Sequence, residues 1–382
     1  MSTSVENLPA SDSKPVSSKS VLTRSVAGMI GAGFLCAMLL ACVFTLPWTL
    51  GSTPENGVLV PRYNAGSIDQ ARRAPFWAAT GSEGKDRFLL GSDALGRSLF
   101  IRLLAGGGVS LTIGVAAALL SVCIGALYGA IAGYAGGKVD ALMMRIVDVL
   151  YGLPYILLVV LLAVAADAVV QEFIGRAGAR EAWMHARAEE VLRAQGKPAD
   201  GFAIRQFLAS KEADPLDAEG LKAVPARDIS QAGRTVLDLG VLLVAIGGLS
   251  WLTMARVVRG QVLSLKNQQF VEAARAIGAS RRRILFVHLL PNLVGVIAVY
   301  ATLTVPQAIL QESFLSFLGI GVRPPLPSWG NLAAEGLPEL NPYQSNWWLL
   351  LFPCLLLGMT LLALNFFGEG LREALDPRRE VR

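Results

Sequence analysis

Six stretches of this chain, at about residues 26–46, 109–133, 146–166, 236–258, 284–311 and 347–367, are apolar over lengths that match the thickness of a bilayer. About twenty such residues, wound as a helix, cover a hydrocarbon core of about 30 Å. Lipid offers the backbone no hydrogen-bond partners, so each stretch must pair its own N–H and C=O groups and is expected to be a helix. The predicted fold class is therefore an all-α integral membrane protein of about six transmembrane helices. Composition agrees, because only 16% of the residues are charged where a soluble domain carries about 25%.

A formal charge of +5 admits a nucleic-acid partner, but the placement of the basic residues argues for membrane lipid instead. Lys14, Lys19 and Arg24 precede the first apolar stretch, and Lys138 and Arg145 lie between the second and third. Arg256, Arg259, Lys266, Arg275 and Arg281, Arg282 and Arg283 lie between the fourth and fifth, and Arg372, Arg378, Arg379 and Arg382 follow the last. All fall on one side if both termini are cytoplasmic, as retention of positive loops inside the cell requires. No nucleic-acid partner is expected. The first stretch is too long for a signal-peptide core and is expected to be a retained anchor. The four cysteines lie in apolar runs and act as small hydrophobes, and with two histidines in the chain no metal site is expected.

The resulting organisation is a disordered tail at 1–22, a first helix with an external segment at 23–108, a transmembrane body at 109–372 and a cytoplasmic tail at 373–382. Within the body, 167–235 is charged and reads as an external insertion. Met184, Ala188, Val191 and Leu192 recur at helical spacing, as do Ile204, Phe207 and Leu208, and the Gly- and Pro-containing stretch 196–201 parts them. A small helical hairpin is expected there. Pro154 and Pro306 are expected to kink their helices. Gly114, Gly125, Gly129 and Gly133 allow another helix to approach closely, and Trp347 and Trp348 suit a membrane–water interface.

Two acidic residues sit at membrane depth, where an ionisable group invites a functional reading. Asp148 follows Arg145 by three residues, a spacing that favours an ion pair within one helix; the other reading is a place on a translocation path. Glu312 stands near the outer end of the fifth stretch, just before Ser313 and Ser316, where a gate or a packing role fits.

The segment at about 264–284 carries the most information. Glu272 to Ile277 are good helix formers, and Gly278 allows the backbone to turn out of a short helix. Glu272 is placed to accept hydrogen bonds at the helix N-terminus. Ala273 and Ala274 leave room for another protein to approach, and the three arginines would hold the start of the next helix at anionic lipid.

The pattern Glu272-Ala273-Ala274, then Gly278, then His288-Leu289-Leu290-Pro291, resembles the signature cytoplasmic loop of binding-protein-dependent ABC import permeases. Leu90-Gly-Ser-Asp-Ala-Leu-Gly-Arg97, Arg102 to Gly106 with Ser110-Leu111, Met144 to Asp148, Trp251 to Arg259, and the run Ser316 to Gly330 are similar to further segments of that group. His288 stands where the family usually has Ile, which favours the dipeptide/oligopeptide branch. Ser98 and Gly108 depart from the acidic and basic residues of the pattern. The resemblance spans roughly 20–380, with the insertion as an addition.

The resemblance implies a type I ABC importer permease fold in the bacterial inner membrane. It implies that Glu272, Ala273, Ala274, Gly278, His288 and Pro291 couple the chain to ATPase subunits. The implied partners are a second homologous permease, two ATP-binding subunits and an external solute-binding protein. The sequence has no Gly-x-x-x-x-Gly-Lys-Ser/Thr loop and no nucleophile–base or metal constellation. It is therefore expected not to be an enzyme and to carry no cofactor, with ATP bound by the partner subunits. An ion-coupled secondary transporter is the alternative, but such proteins show internal repeats and midplane acids, and neither is evident here.

Overall fold

The computed structural model describes residues 26–55, 57–78, 88–210, 213–224, 231–342 and 345–375. The tail expected at 1–22, most of that at 373–382, and parts of the insertion lie outside the described residues. Five of the described helices are long and apolar enough to cross a membrane, and a bent pair makes a sixth if counted as one span. The architecture is the helical membrane fold expected from the apolar stretches. Exposed leucines such as Leu119, Leu161 and Leu362 cover its flanks, as a lipid-facing surface requires.

The first helix, α1 (Val26–Thr49), leads into a small antiparallel hairpin, β1 (Ser52–Glu55) with β2 (Val58–Pro61), that hydropathy did not announce. Helix α2 (Leu99–Ala135) begins ten residues before the apolar stretch expected at 109. The sequence pattern stopped there because Arg102 and the glycines around it lower the local hydropathy; Arg102 is nevertheless buried. Gly136, at φ +65°, ends the helix in a conformation that suits glycine.

The central packing is α2 against α7 (Gln231–Leu265). Gly125, Gly129 and Gly133 recur every four residues and so lie on one face of α2. A Cβ at Gly129 would stand 2.3 Å from the Ala255 carbonyl oxygen, and one at Gly133 would stand 2.9 Å from that of Arg259. The close approach expected of these glycines is the contact that joins the two helices.

The third span is broken, not merely kinked. Helix α3 (Gly137–Gly152) and α4 (Tyr155–Ala194) meet at 92°. Pro154 forces the preceding residue out of helical conformation, and Leu153 is extended at φ −84°, ψ 151°. Pro306, by contrast, lies inside an unbroken α10 (Leu290–Phe317).

Helix α4 runs for 40 residues, well past the expected end of the span at 166. The insertion is consequently not a separate hairpin. It is the far half of α4 packed with α5 (Gly201–Leu208) and α6 (Asp214–Ala223) around Ala188, Leu192, Ile204, Phe207 and Leu216. The break at 196–201 is present, and Asp200 caps α5 by accepting from the Ala203 N–H at 2.7 Å.

After α7 come the short α8 (Gln269–Ala276) and a span made of α9 (Arg281–Arg283), a π-helical turn (Ile284–Leu289) and α10. Helices α11 (Trp329–Gly336) and α12 (Trp348–Leu375) are the last described helices. Trp348 is buried, and its indole N–H points at the Ser92 carbonyl, 3.4 Å away. It anchors the segment before α2 instead of facing a lipid interface.

Candidate functional site

The short helix α8 is amphipathic over only two turns. Val271 and Ala274, three residues apart, are buried with Ala130 of α2, Val258 and Val262 of α7, and Ile284 and Leu293 of the last composite span. Glu272 and Ala273 stand on the exposed side, together with Phe270 at 40% and Ile277 at 85% exposure. Ala274 therefore packs inside this chain and is not open to a partner, contrary to expectation, because the helical period turns it inward. Phe270 and Ile277 were missed, although the same period places them outward. Among the described residues the Glu272 carboxylate has no capping bond; it stands in the first turn, where its charge favours the helix dipole.

Gly278 terminates α8 in the manner its type predicts. The Ala279 N–H donates to the Ala274 carbonyl and the Gly278 N–H to that of Arg275, both at 3.0 Å, the paired bonds of a Schellman turn. Gly278 has φ +80°, and a Cβ there would meet no neighbour. The requirement for glycine is thus conformational, not steric. Ser280 then starts the next helix by accepting from the Arg283 N–H at 3.3 Å. The Arg275 guanidinium lies 5.8 Å from the centre of the Tyr134 ring, which ties α8 to the end of α2.

His288 is half-buried in the π-helical turn, with Asn292 donating to its carbonyl at 2.6 Å. Pro291 is exposed at the second position of α10. It cannot donate to the carbonyl four residues back, and the ladder just before it is widened into the π turn.

Asp148 pairs with Arg256 on α7, at 2.8 Å, and not with the expected Arg145. The bend after α3 turns Asp148 toward α7, and Arg256 also lies over the Tyr151 ring at 4.1 Å. Three residues further along α7, Arg259 grips Asp140 through two bonds of 2.5 and 2.6 Å. Sequence reading missed this pair because its members are 119 residues apart.

Glu312 is fully buried. The Ser316 hydroxyl donates to it at 2.8 Å and the Ser313 hydroxyl at 3.2 Å. Ser110 of α2 and Ser328 at the start of α11 also face the carboxyl. A second polar cluster lies at the same end of the molecule. Asp93 accepts from Arg97 Nε and from an Arg102 Nη, each at 2.7 Å, and Arg102 reaches on to Glu335 of α11 at 2.5 and 3.0 Å. The motif running from Leu90 to Arg97 is thus a clamp between the segment before α2 and α11.

The arrangement contains an exposed, turned helix rooted in the transmembrane core at the arginine-rich end, and buried hydrogen-bonded polar locks at the other. There Arg102 Nε, alone of its guanidinium nitrogens, has no partner among the described residues. The family described as "Binding-protein-dependent transport system inner membrane component" matches residues 125–381. The chain is 38% identical over 301 residues to the oligopeptide transport system permease protein OppC of Haemophilus influenzae, covering 79% of this chain and 73% of that protein. It is 38% identical to the dipeptide transport system permease protein DppC of Bacillus subtilis, covering 75% and 68%. To the OppC of Escherichia coli it is 37% identical, covering 84% and 82%. The type I ABC permease fold and a multi-pass place in the bacterial inner membrane follow from that family match and the apolar helices. With the match covering most of its length and the helices to support it, the chain belongs to the family of binding-protein-dependent transport system inner membrane components.

Proposed function

We propose that this chain is the permease subunit of an ATP-driven importer for peptides, and that α8 is the element through which separate ATPase subunits move it. The observation that carries the reading is the two-sidedness of α8. Val271 and Ala274 lock it into the ends of α2, α7 and the last composite span, while Glu272, Ala273, Phe270 and Ile277 are left for a partner. A force on the exposed face must then be passed to the membrane helices, because packed side chains cannot slide independently. The arginine-rich end is cytoplasmic by the positive-inside rule, which puts α8 where a nucleotide-driven motor works. A second homologous permease completes the path, two ATP-binding subunits supply the motion, and a solute-binding protein delivers solute at the opposite end. The peptide class comes from the relatives, which are named for oligopeptide and dipeptide transport.

ATP-driven peptide uptake into vesicles carrying the assembled importer tests this reading. Gly278→Val should abolish uptake, since a β-branched residue resists φ +80°, and Glu272→Ala should reduce it. Uptake that runs on an ion gradient with no ATPase partner present would overturn the proposal in favour of a secondary transporter.

A further inference from the structure

Where α7 and α10 meet the bend between α3 and α4, a cavity of about 360 Å³ is bounded by Tyr151, Tyr155, Ser250, Thr253, Gln307 and Gln311 over a leucine floor. Ser250 and Thr253 sit near the middle of the apolar stretch Thr235–Leu265, and both glutamines lie within Arg281–Phe317. Thr253 and Gln307 are exposed. A glutamine amide turned to hydrocarbon leaves two donors and an acceptor unpaired, which lipid cannot satisfy. This face is therefore built to meet water, a solute or a polar protein surface.

All of its hydrogen-bonding groups are neutral. Arg256, whose guanidinium lies over the Tyr151 ring, is paired with Asp148 at 2.8 Å. Tyr155 Oη lies 2.8 Å from Ser250 Oγ and 2.9 Å from the Gln311 side-chain amide, and Ser250 Oγ donates to the Ile246 carbonyl at 2.8 Å. The Tyr155 hydroxyl faces Gln311 Oε1; turning that amide by 180° lets two hydroxyl protons and one amide proton satisfy all three contacts, each group donating to the next. Gln311 then keeps its carbonyl oxygen and one N–H for the cavity.

A side-chain carboxamide is the same chemical group as a peptide bond. Gln307 and Gln311 are four residues apart, about 6 Å along the helix, close to the two-residue repeat of about 6.8 Å in an extended chain. We infer that this cavity is a station on the solute path that holds an extended peptide by its main chain. Gln307 and Gln311 pair with alternate peptide groups, and Tyr155, Ser250 and Thr253 supply hydroxyls. Neutral main-chain pairing accepts any side chain, which suits a carrier whose solutes share only their backbone. The inference rests on the peptide-importer reading above and names the residues that meet the solute.

The test uses vesicles with the complete importer and labelled alanine peptides of two to five residues. Gln307→Leu and Gln311→Leu should each lower ATP-driven uptake by about tenfold, the loss expected for one or two hydrogen bonds. Gln307→Asn should fall between Gln307→Leu and wild type, and the isosteric Thr253→Val should cause a smaller loss. Co-purification of the partner subunits establishes that each variant assembles; if Gln311→Leu does not, the exposed Gln307 position decides. Normal uptake with leucine at position 307 in an assembled importer overturns this site alone. A wild-type importer that moves none of these peptides with ATP overturns the peptide reading and the site together.

Discussion

Arg259 on α7 holds Asp140 on α3 by two parallel bonds, Nε to Oδ1 at 2.5 Å and Nη2 to Oδ2 at 2.6 Å. The pair sets the position of α3 against α7, and the Lys266 ammonium adds a bond to the Gly133 carbonyl at 3.0 Å beside it. Planar two-point pairing of this kind needs a guanidinium.

Asp140→Ala should destabilise the folded chain by about 1.5–3 kcal/mol, the range for a hydrogen bond to a charged group. Arg259→Lys should lose part of that, because an ammonium cannot make both bonds. Thermal unfolding of the detergent-solubilised importer reads both effects. Equal stability of Arg259→Lys and wild type would show that the two-point geometry is unimportant.

Gly129 leaves no room for a side chain against the Ala255 carbonyl oxygen, 2.3 Å from where a Cβ would stand. Gly129→Val should separate α2 from α7 and cost about 1–3 kcal/mol or more. Gly108→Ala, at a position on the same helix where a Cβ meets nothing, should be harmless. Yields of folded protein from a fluorescence-detected sizing column would distinguish them.

Asp93 is shared by Arg97 and Arg102, and the Arg102 side chain is nearly fully buried. Asp93→Ala leaves the buried Arg102 guanidinium with Glu335 as its one carboxylate partner and should cost about 1.5–3 kcal/mol, the range for a hydrogen bond to a charged group. Glu335→Gln, at a partly exposed carboxylate, should cost much less. Protease sensitivity of the segment before α2 is the direct measure, and equal sensitivity of the two variants would contradict the clamp.

Glu312 satisfies serine hydroxyls from three parts of the chain. Glu312→Gln keeps polar atoms among those serines and should preserve the fold, whereas Glu312→Leu should cost about 1–3 kcal/mol for each hydroxyl left unpaired. The melting temperatures of the two variants, compared side by side, give the answer.

Arg72 and Glu339 pair outside the spans, with bonds of 2.7 and 2.9 Å. The hydrogen bonds from Arg72 hold the Glu339 carboxyl below its ordinary 4.5. The stabilisation is therefore complete above about pH 4.5 and disappears as pH falls through the lower folded value. The pair is half exposed on the Arg72 side, so the effect is small. The difference in melting temperature between wild type and Glu339→Gln should shrink toward zero as the pH is lowered through that folded value.

Much of the segment around α8 was legible because it depends on neighbours in sequence. Gly278 could be read as a turn since only a left-handed residue closes a Schellman motif, and Glu272 could be placed in the first turn of α8. The inward rotation of Ala274 and the outward one of Ile277 were available from the period of 3.6 but needed the core of α2 and α7 to give them meaning. Asp148 illustrates the opposite case. Its nearest basic residue in sequence, Arg145, is not its partner, because a 92° bend three residues past Tyr151 redirects the whole of α3.

Hydropathy, glycine spacing and short-range turn chemistry determined by themselves that this chain crosses a membrane as helices, where α2 could be approached closely, and where a short helix must end. The tertiary structure alone decided which charges neutralise one another, that the insertion continues α4, and that Glu312 sits among four serines. Local patterns obey helix geometry, which is the same wherever the segment lies, whereas pairs such as Arg256 with Asp148 and Arg259 with Asp140 join residues more than a hundred positions apart, which only packing brings together.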